Sequence, residues 1–259
     1  MKVASYNVNG IRARLPHVLR WLDECLPDVV LLQEIKCTDE IFPRSEFENR
    51  GYSVETHGEK QRNGVAILSR FPLEDLSRGL PGNNEDIQAR WIEALVVAPR
   101  PIRVCCLYLP NGNPVPGSKY DYKLEWMEKF RGRAKELLEL EESTLLAGDF
   151  NVIPQPEDAM SPEDWESDAL YLPETRESWR RILNLGYTDA FRAMDQTSMS
   201  FTFWDFQRGA WERNNGIRID HFLLTPQCAD LLQDCQIDRH VRGWEKPSDH
   251  VPIWVKLDA

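Results

Sequence analysis

Nothing in the sequence approaches the length of a membrane-spanning apolar run, and no basic-then-apolar leader precedes the strand-like Val3-Ala4-Ser5-Tyr6. A membrane or exported protein is therefore not expected, and a cytoplasmic one is. The six cysteines include no C-x-x-C pair, which argues against a zinc site and for reduced, mostly buried thiols. Cys105 and Cys106 are adjacent in a strand-like run and should face opposite sides of it. No Gly/Ser tract, low-complexity run or fixed-period repeat interrupts the 259 residues, so a single domain over 1–259 is expected. There is no Gly-rich phosphate loop followed by Lys and Ser/Thr, and no activated Ser or Cys nucleophile, which leaves direct attack by water. An excess of positive charge is also missing. The net charge of −11 argues against a protein that grips nucleic acid by bulk charge. A local basic rim is still allowed, because salt screens exposed charges beyond about 8 Å.

The chain does have ample material for a core. Hydrophobic residues make up 42% of it, nine tryptophans among them. Val3 to Gly10 alternates, with Asn7 and Asn9 on one face near the strand end and Gly10 allowing a tight turn. Leu15, Val18, Leu22 and Cys25 recur at helical spacing until Pro27. Val29-Val30-Leu31-Leu32-Gln33 reads as a strand buried on both faces and runs into Glu34. Further strands are predicted over 64–69, 92–97 and 104–109, with Asn83 and Asn84 in the loop between the first two. The last of these ends in Pro110-Asn111-Gly112-Asn113-Pro114. A helix with Leu124, Met127, Phe130, Ala134, Leu137 and Leu138 on one stripe follows.

That helix leads into Leu145-Leu146-Ala147-Gly148-Asp149-Phe150-Asn151, a strand closed by Pro154, on which Asp149 and Asn151 should share a face. Strands are also predicted over the aromatic 200–204, over 217–224 with Asp220 embedded, and over 253–255, with a turn at Asn214-Asn215-Gly216. Residues 155–177 carry eight acidic residues against one basic, and Trp165, Leu170, Tyr171 and Leu172 suggest that the segment packs rather than flaps. Several strand pairs lack a crossover helix. The expected fold is therefore α/β in the α+β sense: a four-layered αββα sandwich of two packed mixed sheets flanked by helices, not a doubly wound parallel sheet.

Polar groups stand at strand ends along the whole chain: Asn7, Glu34, Tyr108 with Asn111, Asp149 with Asn151, Asp220, and Asp249 with His250. Each has an ordinary reading. Glu34 suits a helix cap, Tyr108 a core residue with its hydroxyl at the surface, Asp220 a partner for Arg218, and His250 a structural histidine. One shared rim explains them all at once. An ionised Glu34 after buried aliphatics needs a positive partner, either Lys36 or a metal ion. Carboxylate and amide oxygens suit Mg²⁺ or Mn²⁺ rather than zinc. Asp220 can hold one ring nitrogen of His250 and leave the other for a phosphate oxygen, with Asp249 and His250 both in reach only if 247–252 is a loop.

The blocks Tyr6-Asn7-Val8-Asn9-Gly10-Ile11-Arg12, Leu32-Gln33-Glu34, Tyr108-Leu109-Pro110-Asn111, Gly148-Asp149-Phe150-Asn151, Arg218-Ile219-Asp220 and Ser248-Asp249-His250 resemble, in order, the signature of the exonuclease III / AP endonuclease family. This family belongs to the endonuclease/exonuclease/phosphatase superfamily. The resemblance implies a DNA-repair hydrolase that cuts 5′ to abasic sites in duplex DNA and trims 3′ ends, acting as a monomer with Mg²⁺ or Mn²⁺. It implies a metal site on Glu34 with Asn7 and Asp249 close by. Asp149 would handle the attacking water with help from Asn151, His250 oriented by Asp220 would meet the scissile phosphate, and Tyr108 and Asn111 would bind it. Phe203, Trp204 and Ile219 match the apolar pocket for a base-free sugar.

Two positions depart from the family pattern: Asn9 stands where some members carry an acid, and Ile217 where animal members have tryptophan. DNA contacts are expected from a rim of Arg12, Arg14, Lys36, Lys60, Arg62, Lys119, Arg208, Arg213 and Lys246. A phosphatase acting on phosphoinositides or lipid headgroups is the same-fold rival, and a non-catalytic binding protein is the more distant one.

Overall fold

The computed structural model describes residues 1–83, 85–197 and 199–259; Asn84, which the sequence places in a loop beside Asn83, lies outside them. In chain order the elements are β1 (Lys2–Asn7), α1 (Ile11–Cys25), β2 (Val29–Gln33), α2 (Arg44–Glu48), β3 (Ser53–His57), β4 (Val65–Ser69), β5 (Leu73–Arg78), β6 (Trp91–Val96), β7 (Ile102–Tyr108), α3 (Ser118–Glu139) and β8 (Thr144–Asp149). Then come α4 (Pro173–Leu183), β9 (Thr188–Asp189), α5 (Ala190–Met194), β10 (Asp220–Leu224), α6 (Pro226–Ala229), β11 (Leu232–Ile237) and β12 (Ile253–Leu257).

The strands form two six-stranded sheets, β11-β12-β1-β2-β4-β3 and β5-β6-β7-β8-β10-β9. Each is antiparallel except for one central parallel pair, β1 with β2 and β7 with β8. A parallel pair needs a crossover, and α1 and α3 supply it. The two sheets thus repeat one topology, as the recurrence of strand, polar end, turn and helix in the sequence suggests.

Strand alternation sorts the core into three layers. Val3, Val29, Leu31 and Ile67 of the first sheet meet Val104, Cys106, Leu145 and Phe222 of the second. Ala4, Tyr6, Val30 and Leu32 point outward onto Val18, Trp21 and Leu22 of α1. Cys105, Leu107 and Leu146 point outward onto Trp126, Phe130 and Leu137 of α3 and Trp179 and Ile182 of α4. The four-layered sandwich is therefore present, and Cys105 and Cys106 do face opposite ways.

Two strand expectations need correction. Residues 200–204 do not form a strand, because their neighbours 214–218 and 247–251 are loops that offer Phe203 only single bridges, to Ile217 and His250. β10 likewise starts at Asp220, so Asp220 is its first residue rather than embedded in it. Segment 155–177 does pack. Ala159, Ala169, Leu170 and Tyr171 are buried against Ile153, Ile217 and Ile219.

Candidate active site

Because β1, β2, β7 and β8 run in the same sense within their pairs, their carboxyl ends open onto one rim, where ligands of open α/β sheets gather. β10 runs antiparallel to β8 and begins there, with Asp220 opposite Asp149. The loop 247–252 enters antiparallel β12 from the same side. Glu34 and Asn151 leave their strands with φ of 51° and 47°, left-handed values that side-chain-bearing residues avoid unless the surroundings hold them. Asn151 therefore reaches the rim through a turn, not through the shared strand face that simple alternation predicts. One residue before Asp149, a Cβ on Gly148 would lie 1.9 Å from the Leu107 carbonyl oxygen, so only glycine lets β7 and β8 approach there.

The side chains form one connected set. Asn7 Nδ2 donates to Glu34 Oε1 at 2.8 Å and to Asp149 Oδ2 at 2.9 Å. Asp149 Oδ1 accepts from the Asn151 backbone N–H at 2.9 Å. His250 Nδ1 lies 2.8 Å from Asp220 Oδ2, and its Nε2 lies 3.6 Å from Asp149 Oδ2. Lys36 Nζ pairs with Glu34 Oε2 at 2.7 Å, the positive partner that the buried strand end calls for. Ser248 Oγ donates to the Asn7 carbonyl at 2.8 Å, and Asn9 Nδ2 donates to Asp249 Oδ1 at 3.0 Å, so the loop is tied to the end of β1. These groups surround a cavity of about 350 Å³ whose walls include Glu34, Tyr108, Asn111, Asp149, Asn151, Asp249 and His250.

Charge crowding sets the protonation states. Burial first, with Asp220 and Glu34 adding to it against His250, pushes Asp149 up to about 7. Burial opposes a charged His250, but Asp220 and then Asp149 overrule it and carry the imidazole up to about 10. Burial also opposes ionisation of Glu34, yet Lys36 and the Asn7 amide hold it below the usual carboxylate range. Tyr108 is pushed well above the usual phenol range by burial, Glu34 and Asp149, so it stays a neutral donor.

Ligand atoms of Glu34, Asp149 and His250 lie within 4.8 Å of one another. A set rich in carboxylate oxygens, one of which resists ionisation because burial and the neighbouring carboxylates outweigh His250, fits a hard divalent cation. Asn7 turns its amide nitrogen toward the two carboxylates while its Oδ1 accepts from the Asn9 N–H at 3.1 Å, so it holds them in place rather than offering an oxygen between them. Asp220 is fully buried behind His250. Asp249 lies at the cavity wall, outside the tight three-residue cluster.

The apolar pocket needs one correction. Phe203 and Ile219 line the cavity, and Phe203 meets the His250 ring edge-on at 5.0 Å between centroids. Trp204 does not line it. Neighbours on extended backbone face opposite ways, so with Phe203 on the cavity, Trp204 is driven into the core against Phe201 and Trp211. Arg218 pairs with Asp158 at 2.7 Å and Asp189 at 2.9 Å, not with Asp220. On the rim, Arg12 opens α1, Lys119 opens α3, and Arg208 and Arg213 line an adjoining cavity of about 440 Å³.

Several residues at the site went unforeseen. Thr202 Oγ1 accepts from the backbone N–H of both Ile219 and Asp220 at 3.1 Å, fixing the start of β10. Asn113, Trp165, Asp168, Leu170 and Asp205 complete the cavity wall. Asn113 was signalled by its Pro-Asn-Gly-Asn-Pro turn; Asp168 had no signal beyond the acidity of its segment.

Two packed sheets with acids, amides and one imidazole on a common rim define a hydrolase of phosphate esters. The chain belongs to the Endonuclease/Exonuclease/phosphatase family, whose pattern matches residues 4–250. It is 36% identical to exodeoxyribonuclease III of Haemophilus influenzae over 99% of this chain and 100% of that one. It is also similar to an AP endonuclease from Archaeoglobus fulgidus, with a TM-score of 0.95 and 37% identity over 100% of both chains. A third relative, the 3′ phosphatase NExo from Neisseria bound to product DNA hairpin, has a TM-score of 0.95 and 33% identity over 100% of both chains. No helix among the described residues is long and apolar enough to cross a membrane.

Proposed function

We propose that this protein is an AP endonuclease that hydrolyses the DNA backbone 5′ to abasic sites in duplex DNA and also removes nucleotides or blocking groups from 3′ ends. In this reading residues 1–259 act as one catalytic domain, as a monomer in the cytoplasm, with Mg²⁺ as the cation and Mn²⁺ as its substitute. The observation that carries it is the convergence of Glu34, Asp149 and His250 on one cavity from both sheets, with Asp220 buried behind His250. The relatives named above act at the same kinds of DNA end and lesion.

Glu34, Asp149 and, from the cavity wall, Asp249 would hold the cation. When bound, it offsets the negative charge that grows on the phosphoryl and leaving oxygens. Asp149, ionised once the cation is bound, would take the proton of the attacking water. Its free reach is directed by the Asn151 N–H on one oxygen and Asn7 on the other. His250 donates its Nδ1–H to Asp220 and presents Nε2–H to a phosphate oxygen, as does the neutral Tyr108 hydroxyl. Water oxygen bonds to phosphorus as its proton passes to Asp149, the bond to the 3′ oxygen breaks, and that oxygen takes a proton from solvent water and leaves as a 3′-hydroxyl. Phe203 and Ile219 give a base-free sugar an apolar seat beside His250.

The test is cleavage of an abasic-site duplex beside an undamaged blunt duplex and an inositol phosphate, each with Mg²⁺ and with chelator. Incision of the first, shortening of the second from its 3′ ends, and loss of both in chelator are expected. Asp149→Asn lowers the incision rate by about 10² to 10⁴. Hydrolysis of the inositol phosphate with no response to the abasic site would overturn this reading.

A further inference from the structure

Lys123 lies in the second turn of α3 and is fully buried. Its Nζ donates to the backbone carbonyls of Asn151 at 2.6 Å and Asn111 at 3.0 Å. Those two residues belong to the turns after β8 and β7, on which the cavity-facing carboxamides sit. The carboxamides meet in turn, Asn111 Nδ2 donating to Asn151 Oδ1 at 3.1 Å. Room for the lysine stem is made by Gly112, where a Cβ would come within 2.7 Å of Lys123 Cδ and where φ is 92°.

Packing alone does not account for a lysine here. Methionine or leucine would fill similar space without removing an ammonium from water, and such desolvation is costly unless hydrogen bonds offset it. The cost is visible: burial pulls Lys123 down to about 7, with Asp168 and Asp149 opposing. Two N–H donors remain on the amine in either protonation state, so the carbonyl contacts do not depend on the charge. What lysine adds over an apolar side chain is a brace between two turns.

We propose that Lys123 is a positioning residue of the active site: its buried amine holds the turns of Asn111 and Asn151 at fixed separation, so that the Asn151 carboxamide, met by that of Asn111, keeps its place on the cavity wall beside Asp149. It rests on the reading of this cavity as the catalytic one. Lys123 itself touches no substrate; its effect passes through Asn151. Misplacing a reacting group by about 1 Å can cost on the order of 10²-fold in rate, so losing the brace is expected to appear in kcat.

The test is a double-mutant cycle on an abasic duplex with Mg²⁺, using Lys123→Met, Asn151→Ala and the pair, with Asp149→Asn as reference. Lys123→Met is expected to lower kcat about 10- to 100-fold while KM stays within about threefold. In the Asn151→Ala background the same change is expected to cost less than threefold, a coupling that general loosening of the fold does not produce. Lys123→Arg, which keeps two donors, is expected to recover most of kcat. Lys123→Gln, whose shorter amide cannot span both carbonyls, takes the place of Lys123→Met in the cycle if that variant does not fold, with the same loss of kcat and the same coupling expected. A wild-type kcat for Lys123→Met, or equal costs with and without Asn151, overturns the proposal while leaving the catalytic reading intact. An active Asp149→Asn overturns both.

Discussion

The Asn7 carboxamide nitrogen lies 2.8 Å from Glu34 and 2.9 Å from Asp149, so one amide joins carboxylates that end strands of different sheets. The sheets are held in register at the point where the chemistry requires it. Removing the amide leaves two buried acceptors without their donor, an expected loss of about 1–3 kcal/mol in stability. Asn7→Ala should therefore melt at lower temperature in chelator and incise more slowly with Mg²⁺. Asn7→Asp should melt lower still in chelator, because it adds a third carboxylate, and should regain more on adding Mg²⁺. Thermal melts of the three proteins with and without the cation check this. Equal melting of Asn7→Asp and wild type in chelator would count against it.

His221 provides a pH dependence separate from the active site. Its Nδ1 accepts from Arg218 at 2.9 Å and its Nε2 donates to the Val152 carbonyl at 3.0 Å, so the neutral ring is fully satisfied. Burial and then Arg218 depress its pKa from 6.5 to about 4. A base with a depressed folded pKa takes up its proton on unfolding, so its contribution is whole above pH 6.5 and fades as the pH falls through about 4. The loss over that window is about 3 kcal/mol. Denaturant melts from pH 7 to 4 should show a shallower decline for His221→Gln, whose amide can make both bonds without titrating.

Much of this was legible because buried strands announce themselves. All eight strands expected from apolar runs that exist in the fold lie inside the two sheets. The strands that were not foreseen, β3, β5, β9 and β11, are the four edges. Edges bury one face or less, as the pattern along β5 shows with no fully buried residue, so they lack the continuous apolar run that marks a central strand. The polar strand ends were visible for the same reason that the inner strands were. Which residues meet across 142 positions of sequence, as Asn7 and Asp149 do, follows from the sheet pairing and is written in no local pattern. Lys123 was invisible because a lysine beside a helix stripe reads as solvated, and only the neighbouring Gly112 hints that something lies under that turn. Trp204 misled because an aromatic in a matched block looks the same whether it faces the cavity or the core.

That ambiguity is testable. Phe203 and Ile219 border the cavity and Trp204 does not, so the three should separate by readout. Phe203→Ala is expected to raise KM for an abasic duplex more than for a 3′-end substrate, since only the former must seat a base-free sugar. Trp204→Ala should destabilise the fold by about 3–5 kcal/mol through the cavity it leaves. Trp204→Phe, smaller but apolar, should keep wild-type selectivity between the two substrates. A change of selectivity in Trp204→Phe without one in Phe203→Ala would reverse the assignment.

The active-site imidazole and carboxylate make the cation-free protein weaken as pH rises. His250 goes from 6.5 to about 10 on folding, so its contribution is whole below pH 6.5 and is lost as the pH climbs through about 10. Asp149 goes from 3.8 to about 7 and acts in the same sense at lower pH, its contribution whole below 3.8 and gone above about 7. In chelator, wild type should therefore lose stability between pH 7 and 10, and His250→Gln should lose less over that range. A divalent cation favours the ionised Asp149, so its binding releases a proton and tightens as the pH rises through about 7. Melting temperatures in Mg²⁺ and in chelator should diverge with increasing pH in wild type, and keep a constant separation in Asp149→Asn, which has no proton to release there. Parallel curves for wild type would mean that the cation binds away from Asp149.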